Sequence, residues 1–173
     1  NIIAPSRKEL NLLSYKSIVS FIKDIKPDIV LHLAAKVGGI EANIREPLEF
    51  LIKNLDINKN LILASNECKV KKLINVGSSC MYPRSANNPL KEESLNGGQL
   101  EPTNEGYAMA KLIGLKLCEM INNTDDYFNY KTIIPCNLFG KYDNYNKDSS
   151  HLIASIIKKI HSAKLKNKNE VTI

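Results

Sequence analysis

Short apolar runs in this chain alternate with longer segments that repeat their apolar residues at helical spacing, from one end to the other. "NIIAP" (1–5) reads as the end of a strand. "SYKSIVSFIKDIKP" sets Ile18, Val19, Ile22 and Ile25 on one helical face, and Pro27 stands just past its end. "DIVLHLAA" (28–35) is continuously apolar, the pattern of a strand buried on both faces of a parallel sheet. A glycine turn, "KVGGI", follows it. A helix opens near Pro47, with Leu48, Leu51, Ile52, Leu55, Ile62 and Leu63 on its inner side. "KKLINVGSS" is the next strand, and the polar stretch at 83–104 is a loop. "EGYAMAKLIGLKLCEMINN" is a helix, "KTIIPCNLFG" a strand, and "SSHLIASIIKKIHSA" a helix entered through serine caps. "NEVTI" (169–173) is a last β-like run.

Such alternation predicts an α/β fold: a doubly wound, Rossmann-like parallel sheet joined by right-handed crossovers. No repeat or linker divides the 173 residues, so they read as one domain or part of one. Ligands of such sheets bind outside the carboxyl ends of the strands. "VGGI", "GSSC" and "PCNLFG" all follow strands and so share one rim.

Composition narrows the function classes. The chain is 43% hydrophobic and 24% charged, and no apolar run approaches the ~20 residues of a membrane span. No secretory leader opens it, so a cytoplasmic protein is expected. The net charge of +6 is spread over scattered lysines, with only Arg7, Arg45 and Arg84 carrying guanidinium groups. That dispersion disfavours a nucleic-acid surface and suits a small anionic ligand. Cys68, Cys80, Cys118 and Cys136 form no C-x-x-C pair, so neither a metal site nor a disulfide is expected. Cys118 and Cys136 read as buried core residues.

Tyr107 and Lys111, in "YAMAK", lie four apart and therefore share a helix face. A nearby ammonium lowers the pKa of a phenol and lets it exchange a proton with an alcohol or ketone oxygen. Chance alone puts Tyr-x-x-x-Lys in many helices, and Tyr107 taken singly is equally an amphipathic surface residue. "GSSCMYP" (77–83) is similarly ambiguous, since a serine-rich turn with a buried thiol needs no chemistry. The two stretches together are more informative: a serine at the end of the preceding strand can bond the same carbonyl oxygen as the tyrosine. His32 reads as a satisfied core or rim histidine, His161 as a helix-surface residue, and Asn104 and Glu105 as capping residues.

Strand, serine, long loop and Tyr-x-x-x-Lys helix together resemble the layout of the extended short-chain dehydrogenase/reductases. "AAKVGGI", "GSSCMYP", "LEPTNEGYAMAK", "KLCE" and "PCNLFGKYDN" narrow this to a resemblance to the GDP-L-fucose synthase family, GDP-4-keto-6-deoxy-mannose 3,5-epimerase/4-reductases. The resemblance runs from about Ser6 to the end of the chain. It implies NADPH-dependent inversion at C3 and C5 of a GDP-4-keto-6-deoxy-hexose, then reduction at C4. Close relatives that reduce GDP-4-keto-6-deoxy-heptoses keep a second substrate open, and a non-catalytic sugar-nucleotide or partner-binding module is the alternative of another class.

The roles implied by the resemblance fall on particular residues. Ser78, Tyr107 and Lys111 match the reductase triad, and Cys80 and His151 the acid/base pair of epimerisation. Val76, Gly77, Ser78, Ser79, Lys111, His151 and the run Pro135, Cys136, Asn137 and Leu138 match cofactor-lining positions. Arg7, Asn11 and Leu12 match the adenosine end, with Arg7 suited to the 2′-phosphate of NADP(H). Lys159 matches a substrate contact. The family also implies a homodimer through the helices near 47–67 and 105–122. Its first strand with a Gly-x-x-Gly-x-x-Gly turn, and its smaller substrate domain, have no counterpart in these residues. The expectation is therefore a partial NADP-binding Rossmann domain over 1–173, truncated at both ends, with the substrate domain absent.

Overall fold

The computed structural model describes residues 1–146 and 150–172. Among these residues five helices of five residues or more and three strands follow one another: α1 (Tyr15–Ile25), β1 (Ile29–His32), α2 (Ile40–Arg45), α3 (Pro47–Glu67), β2 (Lys72–Val76), α4 (Glu105–Thr124), β3 (Asn129–Ile133) and α5 (Leu152–Leu165). Local chemistry sets several of the ends. Ser14 caps α1 with its side chain, accepting from the Ser17 amide, and Lys26 closes it in a left-handed conformation before Pro27. Pro47 stands in the first turn of α3, where a missing N–H costs nothing.

The three strands are parallel, in the order β1-β2-β3. Val30, Leu73 and Tyr130 form one row across the sheet, and His32, Asn75 and Thr132 form the row two residues further on. Crossovers of one hand stepping in one direction bring their helices to one face. There Leu73 and Tyr130 pack with Ile62 of α3 and Cys118 and Ile121 of α4, with Phe128 at the edge. Ile18 and Ile22 of α1 pack with Leu61 and Ala64 of α3 and with Val70. The arrangement is a Rossmann-like parallel sheet flanked by helices.

Several sequence expectations are corrected, among them Leu48 and Ile52, read on the inner side of α3 but exposed. "NIIAP" forms no strand and is exposed, and no strand forms over 170–172. "DIVLHLAA" is not buried on both faces: the strand covers only Ile29–His32, and Ile29 and Leu31 on its outer face are 50% and 55% exposed. Among the described residues α1, α3 and α4 pack on the Val30 face of the sheet, and Ile29 and Leu31 belong to neither core cluster. β3 begins before the "KTII" run and stops ahead of Pro135, which has no N–H to extend a ladder. Cys136 therefore lies past the strand and is exposed rather than buried, whereas Cys118 is in the core as read.

Candidate active site

β2 ends at Val76, and the chain turns at once. The Gly77 amide still donates to Ile133 O at 2.8 Å, prolonging the pairing with β3 by one bond. Ser78 is extended, and Ser79–Met81 make a single 3₁₀ turn closed by the Met81 amide on Ser78 O at 3.1 Å. Met81 is fully buried beneath the turn and its Sδ accepts from the Ser78 amide at 3.3 Å. The turn is thus held from below by an apolar side chain. It presents Ser78 and Cys80, both half-buried, towards α4.

Helix α4 supplies the other half. Its first turns carry Tyr107, half-buried, and Lys111, which is only 2% exposed. The Lys111 ammonium donates to Val76 O at 2.8 Å and lies 5.7 Å from the Tyr107 ring centroid. One lysine therefore ties α4 to the end of β2. Burial lowers its pKa, while the Cys80 sulfur favours the charged form. Burial raises the pKa of the Cys80 thiol, against the pull of the adjacent Ser78 hydroxyl and of Lys111. Tyr107 is pushed up to about 12, first by burial and then by the neighbouring Cys80.

That last value corrects an expectation. The sequence reading has Lys111 lower the Tyr107 pKa. In the structure the ammonium is turned to the Val76 carbonyl and the ring face, and desolvation of the phenolate decides the sign. Tyr107 is a neutral phenol at physiological pH.

The predicted residues therefore divide. Ser78, Cys80, Tyr107 and Lys111 come together at the carboxyl end of β2, with Val76, Gly77 and Ser79 beside them. Pro135, half-buried, and the exposed Cys136, Asn137 and Leu138 continue from β3 on the same rim. His151 occupies the N-cap position of α5, makes no side-chain cap hydrogen bond and is exposed. The preceding carbonyl, Ser150 O, lies 3.3 Å from where a Cβ on Gly39 would stand, so this segment runs beside the "KVGGI" turn. Lys159 is exposed on α5. Arg7 and Asn11 are exposed on the segment before α1, and Leu12 O is fixed by Asn60 Nδ2 at 3.2 Å.

Sequence reasoning missed the polar layer beneath this cluster. His32 is buried; its Nε2 meets Asn58 Oδ1 at 2.9 Å, but its Nδ1 has no partner among the described residues, so it is only half satisfied. Burial and the Lys111 charge lower its pKa to about 4. Asn75 is fully buried on β2 and donates to Thr132 Oγ1 at 3.1 Å. A signal existed: "VLHLAA" and "LINV" each place one polar residue in an apolar strand, two positions or fewer from the rim.

Comparison with known proteins places the chain. It is 49% identical over 171 residues to the GDP-L-colitose synthase of Yersinia pseudotuberculosis, covering 99% of this chain and 56% of that one. It is 40% identical over 172 residues to the GDP-L-fucose synthase of Escherichia coli K12, covering 99% and 53%. Its fold matches a GDP-mannoheptose C4 reductase from Campylobacter jejuni with NADP bound at a TM-score of 0.86 and 36% identity, over 95% of this chain and 48% of that one. The chain spans about half the length of the curated relatives it matches. The model of the NAD dependent epimerase/dehydratase family matches residues 2–173. The chain, with its parallel sheet and its Ser-Tyr-Lys cluster at the end of β2, belongs to the NAD dependent epimerase/dehydratase family.

Proposed function

We propose that this chain is the catalytic part of an NADPH-dependent epimerase/reductase that converts a GDP-4-keto-6-deoxy-hexose to GDP-L-fucose. The observation that carries the reading is the convergence of Ser78, Cys80, Tyr107 and Lys111 at one strand end, with Tyr107 held neutral. A C4 ketone acidifies the hydrogens on C3 and C5. Inverting either centre requires one group to take a proton and another to return one. Cys80 and His151 are the pair proposed for this, both of residue types that exchange protons near neutral pH. Ser78 donates a hydrogen bond to the C4 oxygen as negative charge develops there. Tyr107 then gives that oxygen its proton.

The residues fit a nicotinamide dinucleotide. The turn after β2 and the Lys111 ammonium beside Tyr107 stand at the carboxyl end of the strand, the rim where such cofactors lie. Val76, Gly77, Ser78, Ser79, Lys111, His151 and Pro135 to Leu138 would hold the nicotinamide half. Arg7, Asn11 and Leu12 would hold the adenosine end. Bound NADPH supplies the hydride for C4. On this reading the 173 residues form part of the cofactor domain. Lys159 then belongs to the substrate side. The exposed Leu48, Ile52, Met109 and Met120 on α3 and α4 support a homodimer through those helices.

A second reading keeps the reductase and changes the sugar to a GDP-4-keto-6-deoxy-heptose, with or without epimerisation. It is supported by the likeness to the GDP-mannoheptose C4 reductase of Campylobacter jejuni. The complete protein incubated with GDP-4-keto-6-deoxy-mannose and NADPH in D2O distinguishes the readings. GDP-L-fucose carrying deuterium at C3 and C5 supports the first. C4 reduction without deuterium removes the epimerase half. No NADPH consumption with either sugar leaves a non-catalytic binding module.

A further inference from the structure

Below the Ser-Cys-Tyr-Lys cluster lies a polar layer with no part in the chemistry above. His32, Asn75 and Thr132 occupy one row across β1, β2 and β3. Asn58 of α3, fully buried, closes over this row. Its amide joins two elements: Nδ2 donates to Ala110 O of α4 at 2.9 Å, and Oδ1 accepts from His32 Nε2 of β1 at 2.9 Å. The Ala110 carbonyl accepts only, so the amide orientation is fixed and the neutral His32 carries its proton on Nε2.

The close approach depends on Gly114. A Cβ there would stand 3.2 Å from Asn58 Nδ2 and 3.4 Å from Asn75 Nδ2. Ala110 immediately precedes Lys111 and follows Tyr107 by three residues. The catalytic turn of α4 is thus held at two points: Lys111 Nζ on Val76 O above, and Ala110 O on Asn58 below. Apolar side chains would fill the same space without burying three polar groups, so the layer provides directed bonds rather than packing alone.

We propose that Asn58, braced by His32, is a positioning residue that sets the placement of Tyr107 and Lys111 relative to Ser78. This rests on the reductase reading above. The complete protein carrying Asn58→Leu, similar in size but unable to bond, is compared with wild type. The expected result is a kcat for ketone reduction lower by about 10- to 100-fold, as for a displacement approaching 1 Å, with both KM values nearly unchanged. His32→Leu lowers kcat in the same way, and His32→Gln, whose amide nitrogen replaces the Nε2 donor, recovers most of it. This pair stands in if Asn58→Leu fails to fold. Wild-type kcat in Asn58→Leu, or equal losses in His32→Leu and His32→Gln, overturns the proposal. Amide hydrogen exchange over 107–114 gives a readout independent of the substrate. If wild type turns over no sugar, the reductase reading fails by itself. The positioning role then stands on roughly tenfold or faster exchange in the variant, and falls if exchange is unchanged.

Discussion

Gly77→Ala tests whether the turn after β2 is built as described. The backbone at Gly77 has no positive φ, so alanine meets no conformational strain and the effect is steric. Its Cβ would stand 2.8 Å from Met81 Sδ, 3.3 Å from Ile133 O and 3.3 Å from Thr132 Cγ2. Ordinary contact lies near ~3.5–4.0 Å, so Met81 must retreat by roughly 1 Å while β3 blocks the other direction. Met81 is fully buried and receives the Ser78 amide on its sulfur, so it cannot retreat without moving Ser78. Overpacking of this kind costs about 1–3 kcal/mol. A displacement of Ser78 approaching 1 Å costs up to ~10²-fold in rate. The assay is NADPH consumption by the complete protein with the proposed 4-keto sugar, beside a thermal melt. Met81→Val removes the clashing atom, so the double variant should recover activity towards that of Met81→Val alone, a coupling of about 1 kcal/mol or more. Wild-type rate and melting temperature in Gly77→Ala, or strictly additive losses in the double variant, would refute the reasoning.

Three further outcomes are expected. Tyr107→Phe, which removes the proton donor and leaves the packing, should slow C4 reduction by roughly 10²–10⁴-fold while NADPH titration shows unchanged affinity; an unchanged rate excludes Tyr107 from the step. Cys80→Ser should suppress deuterium incorporation at C3 and C5 far more than reduction of an already epimerised ketone, and equal loss in both would make Cys80 structural. His32 has its pKa depressed from 6.5 to about 4, so across that window the unfolded chain binds a proton that the folded chain does not. Stability is therefore fully present above about pH 6.5 and is lost as pH falls towards 4, by on the order of 3 kcal/mol. Melts of wild type and His32→Gln over that range should diverge on the acid side, and parallel curves would show that His32 does not titrate this way.

The fold was legible wherever a pattern is local. Apolar runs and helical spacing located β1, β2, α1, α3, α4 and α5, because each element buries one face and the period follows from its geometry. Strand ends were not legible in the same way. A strand exists only where a neighbour pairs with it, so "NIIAP" remains irregular and "DIVLHLAA" yields four paired residues. The same cause misplaced Cys136: an apolar run reads as buried until one knows that β3 has already stopped at Ile133.

The site shows a second limit. A strand end and an i,i+4 spacing pointed to Ser78 or Ser79, Tyr107 and Lys111, and the family resemblance selected Ser78. Asn58 could not be found this way. An asparagine in "NLDINKN" reads as surface, and only the crossover that sets α3 against α4 and β1 makes it a buried link. The sign of the Tyr107 shift turns on the same kind of information. Spacing puts an ammonium near the phenol, but a charge lowers a phenol's pKa only if it faces the oxygen and if water still solvates the phenolate. Here Lys111 spends its bond on Val76 O, and the burial that holds both residues keeps the phenol protonated. A raised pKa keeps the phenol protonated at neutral pH but also makes it a weaker acid, so it gives its proton only to a strongly basic oxygen. On the proposed reading, the packing that fixes α4 to the sheet keeps that proton in place until an alkoxide develops at C4, a base strong enough to take it.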